Sequence, residues 1–239
     1  MSGPQIIMPE VGRHNADLAG ARARLTKAQS YRDLGTVILC PTRGRLYPRV
    51  VSSWMALMRP MNQKCVGPIF LSGMEVGEAY NAGVRMVLDS PELSTWPYIL
   101  TLEEDNIPPA DGLLKLYESI EGYDAVGGLY WTKGPGGQPM IYGDPGVMPR
   151  NFVPQLPQPN AVQPCNGLGM GFTLFRTALF RRLPAPWFKT VQEVVPGQGA
   201  RSFTQDLFFF NNACGEGARF ASDNRVTVGH YDPTEDLVW

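Results

Sequence analysis

Tyr98-Ile-Leu-Thr-Leu-Glu-Glu-Asp-Asn106 is the stretch on which the reading of this chain turns. Tyr98 to Leu102 is a short apolar and β-branched run, the pattern of a buried strand, and it runs straight into three carboxylates. In open α/β sheets, ligands bind outside the carboxyl ends of the strands, so an acidic cluster at that position is a candidate site. Glu103, Glu104 and Asp105 repel one another unless a cation or protons compensate. Carboxylate oxygens suit magnesium or manganese, with the diphosphate of a substrate completing the shell. The plainer alternative is a solvated acidic turn that caps the helix beginning at Pro108 and Pro109 through its dipole.

Outward from this segment, strands and helices alternate. Thr36 to Cys40 reads as a strand ending at Pro41, and a helix is expected over Pro48 to Met58. A second strand covers Pro68 to Leu71. Ser72-x-x-Glu75 has the form of a capping box opening a helix that runs to about Asp89. Leu113, Leu114, Leu116 and Tyr117 mark the helix after the acidic cluster, and Ala125 to Tyr130 a further strand. This alternation predicts an α/β fold, a single domain with a mostly parallel central sheet flanked by helices. Residues 132–165 interrupt it with five Gly and eight Pro but three charged side chains. A loop of that length is usually functional or mobile. Gly167 to Phe175 reads as a glycine-rich strand, Thr177 to Leu183 as a short helix, and 191–202 as a second mobile loop. A helix from Thr204 or Gln205 to Cys214 and a last strand from Arg225 to Gly229 complete the pattern.

The chain has 239 residues, 44% hydrophobic and 18% charged, enough for one sizeable core. No apolar run approaches the roughly 18 residues that span a bilayer, and no secretory or lipidation signal is visible, so the expectation is a soluble, cytoplasmic protein with no membrane partner. Four cysteines at 40, 65, 165 and 214 form no C-x-x-C pair and read as structural thiols. The net charge of −1 argues against a general polyanion binder, yet its distribution is uneven. Residues 1–65 carry ten Lys or Arg against three acids, a balance of +7, and the remainder is at −8.

Two further features carry chemistry. Pro41-Thr-Arg-Gly-Arg45 follows the first strand, where Arg43 and Arg45 can meet phosphates and Gly44 permits close backbone approach; the alternative is a basic surface loop. His230, in Val228-Gly-His-Tyr-Asp232, follows the last strand; it is either a structural hydrogen-bonder or a metal ligand, since neutral imidazole is the commonest nitrogen ligand.

Taken in chain order, the Thr-Arg-Gly-Arg loop, the Glu-Glu-Asp cluster, Asn166-Gly-Leu-Gly-Met-Gly-Phe172, Pro186-Trp-Phe188, Thr204-Gln-Asp206 and Gly229-His230 resemble the GT-A glycosyltransferases, most closely the family 2 type, over residues 36–232. The resemblance implies a Rossmann-like GT-A domain over 34–232, with a nucleotide-sugar half (34–106) and an acceptor half (107–232), after an N-terminal arm (1–33) and before a tail (233–239). It implies a metal-dependent inverting hexosyltransferase using Mn2+ or Mg2+ and a nucleotide-sugar, a UDP-sugar by preference.

Carried over residue by residue, Glu103-Glu104-Asp105 is the DxD-like motif, with Asp105 and His230 as metal ligands and Glu103 on the nucleotide side. Pro41, Thr42, Arg43, Arg45, Glu103 and Glu104 form the donor-binding set. Asp206 is the general base, at a helix end whose dipole favours its ionised form. Gln205 stands where the family carries Glu. Trp187, Phe188 and Gly169 are expected as the acceptor or sugar platform.

The acceptor is a glycan, a small molecule or a hydroxymethylated base in DNA, the last as in certain phage enzymes of this kind. The basic arm with Arg22, Arg24 and Arg32 and the aromatic, Gly/Pro-rich loop give DNA modification a physical footing, since phosphate contacts need Lys and Arg and an exposed base needs stacking. Two other functions stay open. Gly44-Arg-Leu-Tyr-Pro48 faintly resembles the loop of sugar nucleotidyltransferases, and the Glu103 and Gln205 departures fit a non-catalytic nucleotide-binding module.

Overall fold

The computed structural model describes residues 32–195 and 199–239, together with Gly20 and Arg24, and gives no side-chain surroundings for 193–202. The expected arm, including Arg22, therefore lies largely outside the described residues. Seven strands form a central sheet: β1 (Thr36–Thr42), β2 (Cys65–Ser72), β3 (Tyr98–Leu102), β5 (Ala125–Leu129), β7 (Val162–Cys165), β9 (Phe172–Arg176) and β12 (Phe220–Thr227). Their order across it is β2-β1-β3-β9-β5-β12-β7. β2, β1 and β3 run parallel, as do β5 and β12, while β9 and β7 oppose their neighbours. The mostly parallel α/β sheet expected from the alternation is thus present, with β9 inserted antiparallel between its two halves.

Side chains alternate across a strand, so a fully buried strand needs two apolar layers. In β1, Val37 and Leu39 join one core, with Tyr80, Val84 and the aromatic group Phe175, Phe180, Phe188, Phe209, Phe210 and Phe220. Ile38 and Cys40 join the other, with Trp54, Leu100, Leu113, Leu116 and Val226. Helices α1 (Pro48–Ala56) and α3 (Gly112–Ser119) supply the second layer; α2 (Val76–Asp89), α4 (Thr177–Arg182) and α5 (Gln205–Gly215) supply the first. No helix among the described residues is long and apolar enough to cross a membrane.

Three local expectations are corrected. The cap of α2 is Glu75, whose carboxylate accepts from the backbone N–H of Gly77 (2.7 Å) and Glu78 (3.2 Å). Ser72 cannot serve, because it ends β2 in register with Thr42, and Gly73 turns the chain with a φ of +77° before the helix begins. Residues 132–165 are not one loop: β6 (Ile141–Tyr142) pairs with β8 (Gly167–Leu168), and β7 joins the sheet edge. Residues 191–203 form an antiparallel hairpin, β10 (Val191–Val195) with β11 (Gly199–Phe203).

Two short strands join the acidic cluster to the C-terminal segment. β4 (Asn106–Ile107) leaves the cluster and pairs antiparallel with β13 (Gly229–Asp232), placing His230 opposite Asn106; β14 (Leu237–Val238) pairs with β13 on its other side.

Phe209 is the centre of the aromatic layer, stacked on Phe188 at 4.8 Å between ring centroids and meeting Phe175, Phe180 and Phe210 within 5.6 Å. Phe209→Ala should lower folding stability by about 3–5 kcal/mol through lost burial and the cavity left behind, read as a fall in the urea midpoint.

Candidate active site

At the carboxyl ends of β1 and β3 lies a cleft of about 320 Å³, lined by Pro41, Thr42, Arg43, Met74, Val76, Glu103, Glu104 and Asp105. Five of the six donor-side residues read from the sequence therefore line one cleft. The sixth, Arg45, is exposed and lies outside the lining, because Gly44, at φ +88°, turns the chain after Arg43.

The three carboxylates are held in three different ways. Glu104 holds the loop after β1: it accepts from Thr42 Oγ1 (2.6 Å), from the Arg43 backbone N–H (2.9 Å) and from Arg43 Nε (2.6 Å). Both its oxygens are so engaged, so Glu104 positions the loop while lining the cleft. The Arg43 side chain remains 80% exposed and presents its guanidinium to the cleft.

Glu103 is half-buried and accepts the Tyr80 hydroxyl at 2.8 Å. Burial, then the charge of Asp105, push its carboxyl up to about 7, against the smaller opposing effect of the Tyr80 bond; Asp206 is near enough that its charge adds to the rise. Asp105 goes the other way. Burial acts to raise it, but bonds and charge from His230 and Lys133 outweigh that and hold it at about 2. Its Oδ2 lies 3.5 Å from His230 Nε2 and 2.5 Å from Lys133 Nζ.

The β4–β13 ladder brings His230 to Asp105, reinforced by the Tyr231 N–H donating to the Asp105 carbonyl at 2.7 Å. His230 Nδ1 is 2.8 Å from the Trp131 carbonyl, which can only accept, so Nδ1 carries the proton. When Nε2 is protonated as well it donates to Asp105, the bond that lowers that carboxyl, and in the neutral ring its lone pair faces Asp105 instead. A carboxylate oxygen opposite an oriented imidazole nitrogen fits a divalent ion such as Mn2+ or Mg2+. Among the described residues no group of three or more His, Cys, Asp or Glu side chains could hold one, so two protein ligands are what those residues offer.

Asp206, in the first turn of α5, is buried, and its Oδ1 accepts from the Thr204 hydroxyl and from the Leu207 N–H (2.9 Å). Burial raises its carboxyl above the ordinary range, and these hydrogen bonds only partly offset it. Desolvation is thus the largest effect on Asp206, ahead of the hydrogen bonds it accepts at the helix end.

The expected platform is not open. Trp187 and Phe188 are 8% and 2% exposed. The indole Nε1 donates to the Phe180 and Leu183 carbonyls, and both backbone N–H groups donate to Asn81 Oδ1. Pro186-Trp-Phe188 therefore clamps α2 to the aromatic core. Gly169 makes room for the Tyr130 phenol, which a Cβ there would overlap, while Gly171 makes the same room for the buried Asn106 side chain and donates its N–H to Tyr130 at 2.8 Å.

Residues not singled out from the sequence are Lys133, Tyr80, Tyr130 and the Trp131 carbonyl. Only Lys133 left a signal, as one of three charged side chains in a Gly/Pro-rich stretch.

In the unfolded chain Glu103 releases its proton near 4.5 and in the folded protein near 7, so between these values the fold binds more protons and loses stability as pH rises. Glu103→Gln, which keeps an acceptor for Tyr80, should remove that loss. The urea midpoint of the variant should gain on the parent through this window and hold its gain above it; a constant difference across the window would contradict the assignment.

No protein-family model and no curated protein matches the sequence. Solved structures do. A197 from STIV superposes with a TM-score of 0.58 at 18% identity, over 85% of this chain and 92% of that one. GalNAc-T7, crystallised with UDP, GalNAc and Mn2+, superposes with a TM-score of 0.54 at 11% identity, over 84% of this chain. The match spans only 44% of the GalNAc-T7 chain. S. aureus TarS 1-349 follows at a TM-score of 0.45 and 12% identity, over 79% of this chain and 57% of that one. At these identities the likeness to A197 and GalNAc-T7 is one of fold alone, an α/β architecture of the GT-A type.

Proposed function

We propose that this protein is an inverting glycosyltransferase that moves a sugar from a UDP-sugar to an acceptor hydroxyl, aided by Mn2+ or Mg2+. The observation that carries this is the cleft at the strand ends lined by Arg43, Glu103 and Asp105, with His230 Nε2 3.5 Å from Asp105 and Asp206 near enough to Glu103 for their charges to interact. The UDP and Mn2+ bound to GalNAc-T7 support the donor and the ion by analogy of fold.

In this reading Asp105 and His230 hold the divalent ion, which supplies positive charge to the departing diphosphate. Arg43, fixed by Glu104, adds donors on the same side before any charge develops. Glu103, joined to Tyr80, faces the nucleotide. Asp206 takes the proton of the acceptor hydroxyl: a carboxylate whose proton affinity is raised by burial is a stronger base than an exposed one. With the base and the leaving group on opposite faces of the anomeric carbon, the displacement inverts its configuration.

A glycan or small-molecule hydroxyl is the better-supported acceptor. The hydroxymethylated DNA base drew on the basic arm together with the aromatic, Gly/Pro-rich loop, and the arm's two described arginines serve the fold: Arg24 pairs with Asp111 (3.5 Å) and Glu118 (3.2 Å), and Arg32 donates to the Tyr98 hydroxyl at 2.7 Å.

A panel of UDP-sugars with Mn2+, followed by mass spectrometry, tests the donor; consumption of a nucleoside triphosphate plus sugar phosphate instead would mark a nucleotidyltransferase, and UDP binding with neither hydrolysis nor transfer a binding module. Asp206→Asn should bind UDP as the parent does and lose at least about a hundredfold in transfer. NMR of the new linkage should show inverted anomeric configuration. Retention, or a near-normal rate in Asp206→Asn, would refute the assignment.

A further inference from the structure

We propose that Lys133 competes with the divalent ion for Asp105, so that the ion binds weakly until a nucleoside diphosphate arrives. This rests on Asp105 and His230 being the ion's ligands. The Lys133 ammonium lies 2.5 Å from Asp105 Oδ2, the oxygen that faces His230 Nε2 at 3.5 Å. The oxygen offered to an ion thus already carries a cation. Side-chain exposures of 25% for Lys133 and 15% for Asp105 leave the pair partly shielded from solvent, where charge interactions are screened less than at an open surface.

Lys133 is also delivered by built backbone rather than by a loose surface chain. Trp131 bridges to Pro139, and the Thr132 N–H donates to the Gln138 carbonyl at 2.9 Å. The Gln138 N–H donates to Thr132 Oγ1 at 2.9 Å, closing the turn. Gly134 and Gly136 take φ values of +98° and +79°, and a Cβ on Gly137 would overlap the Thr132 carbonyl. The carbonyl that fixes the His230 tautomer, that of Trp131, opens this same turn. One turn therefore sets both the imidazole and the ammonium.

Two cations cannot share one carboxylate oxygen without repulsion. A diphosphate changes the balance, because its oxygens give the displaced ammonium a new anionic partner beside the ion. Nucleotide and ion binding are consequently coupled, and by linkage each strengthens the other.

Isothermal titration of the full chain with MnCl2, with and without UDP, tests this on the parent, Lys133→Met and Lys133→Arg, with urea midpoints checking the fold. Without UDP, Lys133→Met should bind Mn2+ about tenfold more tightly than the parent, a usual size for such coupling, and Lys133→Arg should stay near the parent. The strengthening by UDP should shrink in Lys133→Met by the same factor. If the urea midpoint of Lys133→Met falls, the comparison is made on Lys133→Gln. Equal or weaker Mn2+ binding in the uncharged variant, or no Mn2+ binding by either protein, overturns the proposal. Tighter Mn2+ binding in Lys133→Met without turnover of any UDP-sugar upholds the competition and refutes the glycosyl transfer reading instead.

Discussion

Three consecutive carboxylates at the end of a buried strand repel one another, and the surrounding structure is organised by how that repulsion is relieved. Each acid takes a different route. Glu103 turns inward to the Tyr80 hydroxyl and holds its proton into the neutral range. Glu104 turns to the loop after β1 and is neutralised by Arg43. Asp105 is met by Lys133 and His230, which arrive from the turn over 131–139 and from β13. The donor loop, that turn and the C-terminal strands are thereby tied to one short acidic segment by charge compensation.

The antiparallel insertion of β9 makes this arrangement possible. Its approach, through Gly169 and Gly171, carries no side chains at those two positions, so the Tyr130 phenol and Asn106 can occupy the space beside it. Tyr130 then supports Gly171, whose carbonyl accepts the Glu103 N–H at 3.1 Å, and presents its ring edge-on to His230 at 5.5 Å. Glycines that resemble a sugar-facing motif in sequence act here as spacing for the carboxylates' backbone.

What the sequence disclosed follows the range of the interactions. β1, β3, β5 and their helices are legible because continuous apolar runs and helical periodicity are local signals, and the acidic cluster is legible because strand end and carboxylates are adjacent in the chain. β6, β7 and the hairpin over 191–203 are not, because two- to five-residue strands among Gly and Pro owe their existence to partners rather than to their own propensity. Trp187 and Phe188 show the limit of reading roles from residue type: an aromatic pair that could face a sugar is occupied by Asn81 and the phenylalanine layer. Lys133 stands out in sequence as a charge among Gly and Pro, but its pairing with Asp105 does not, since the 28-residue separation is bridged only by the fold.

His230 is held by hydrogen bonds in both directions with Trp239, N–H to carbonyl and back, at 3.0 Å each. The backbone that carries the imidazole is thus paired on both of its edges, with β4 at Asn106 and with Trp239. The orientation of this imidazole is therefore set by segments outside the central sheet, whose last strand ends at Thr227.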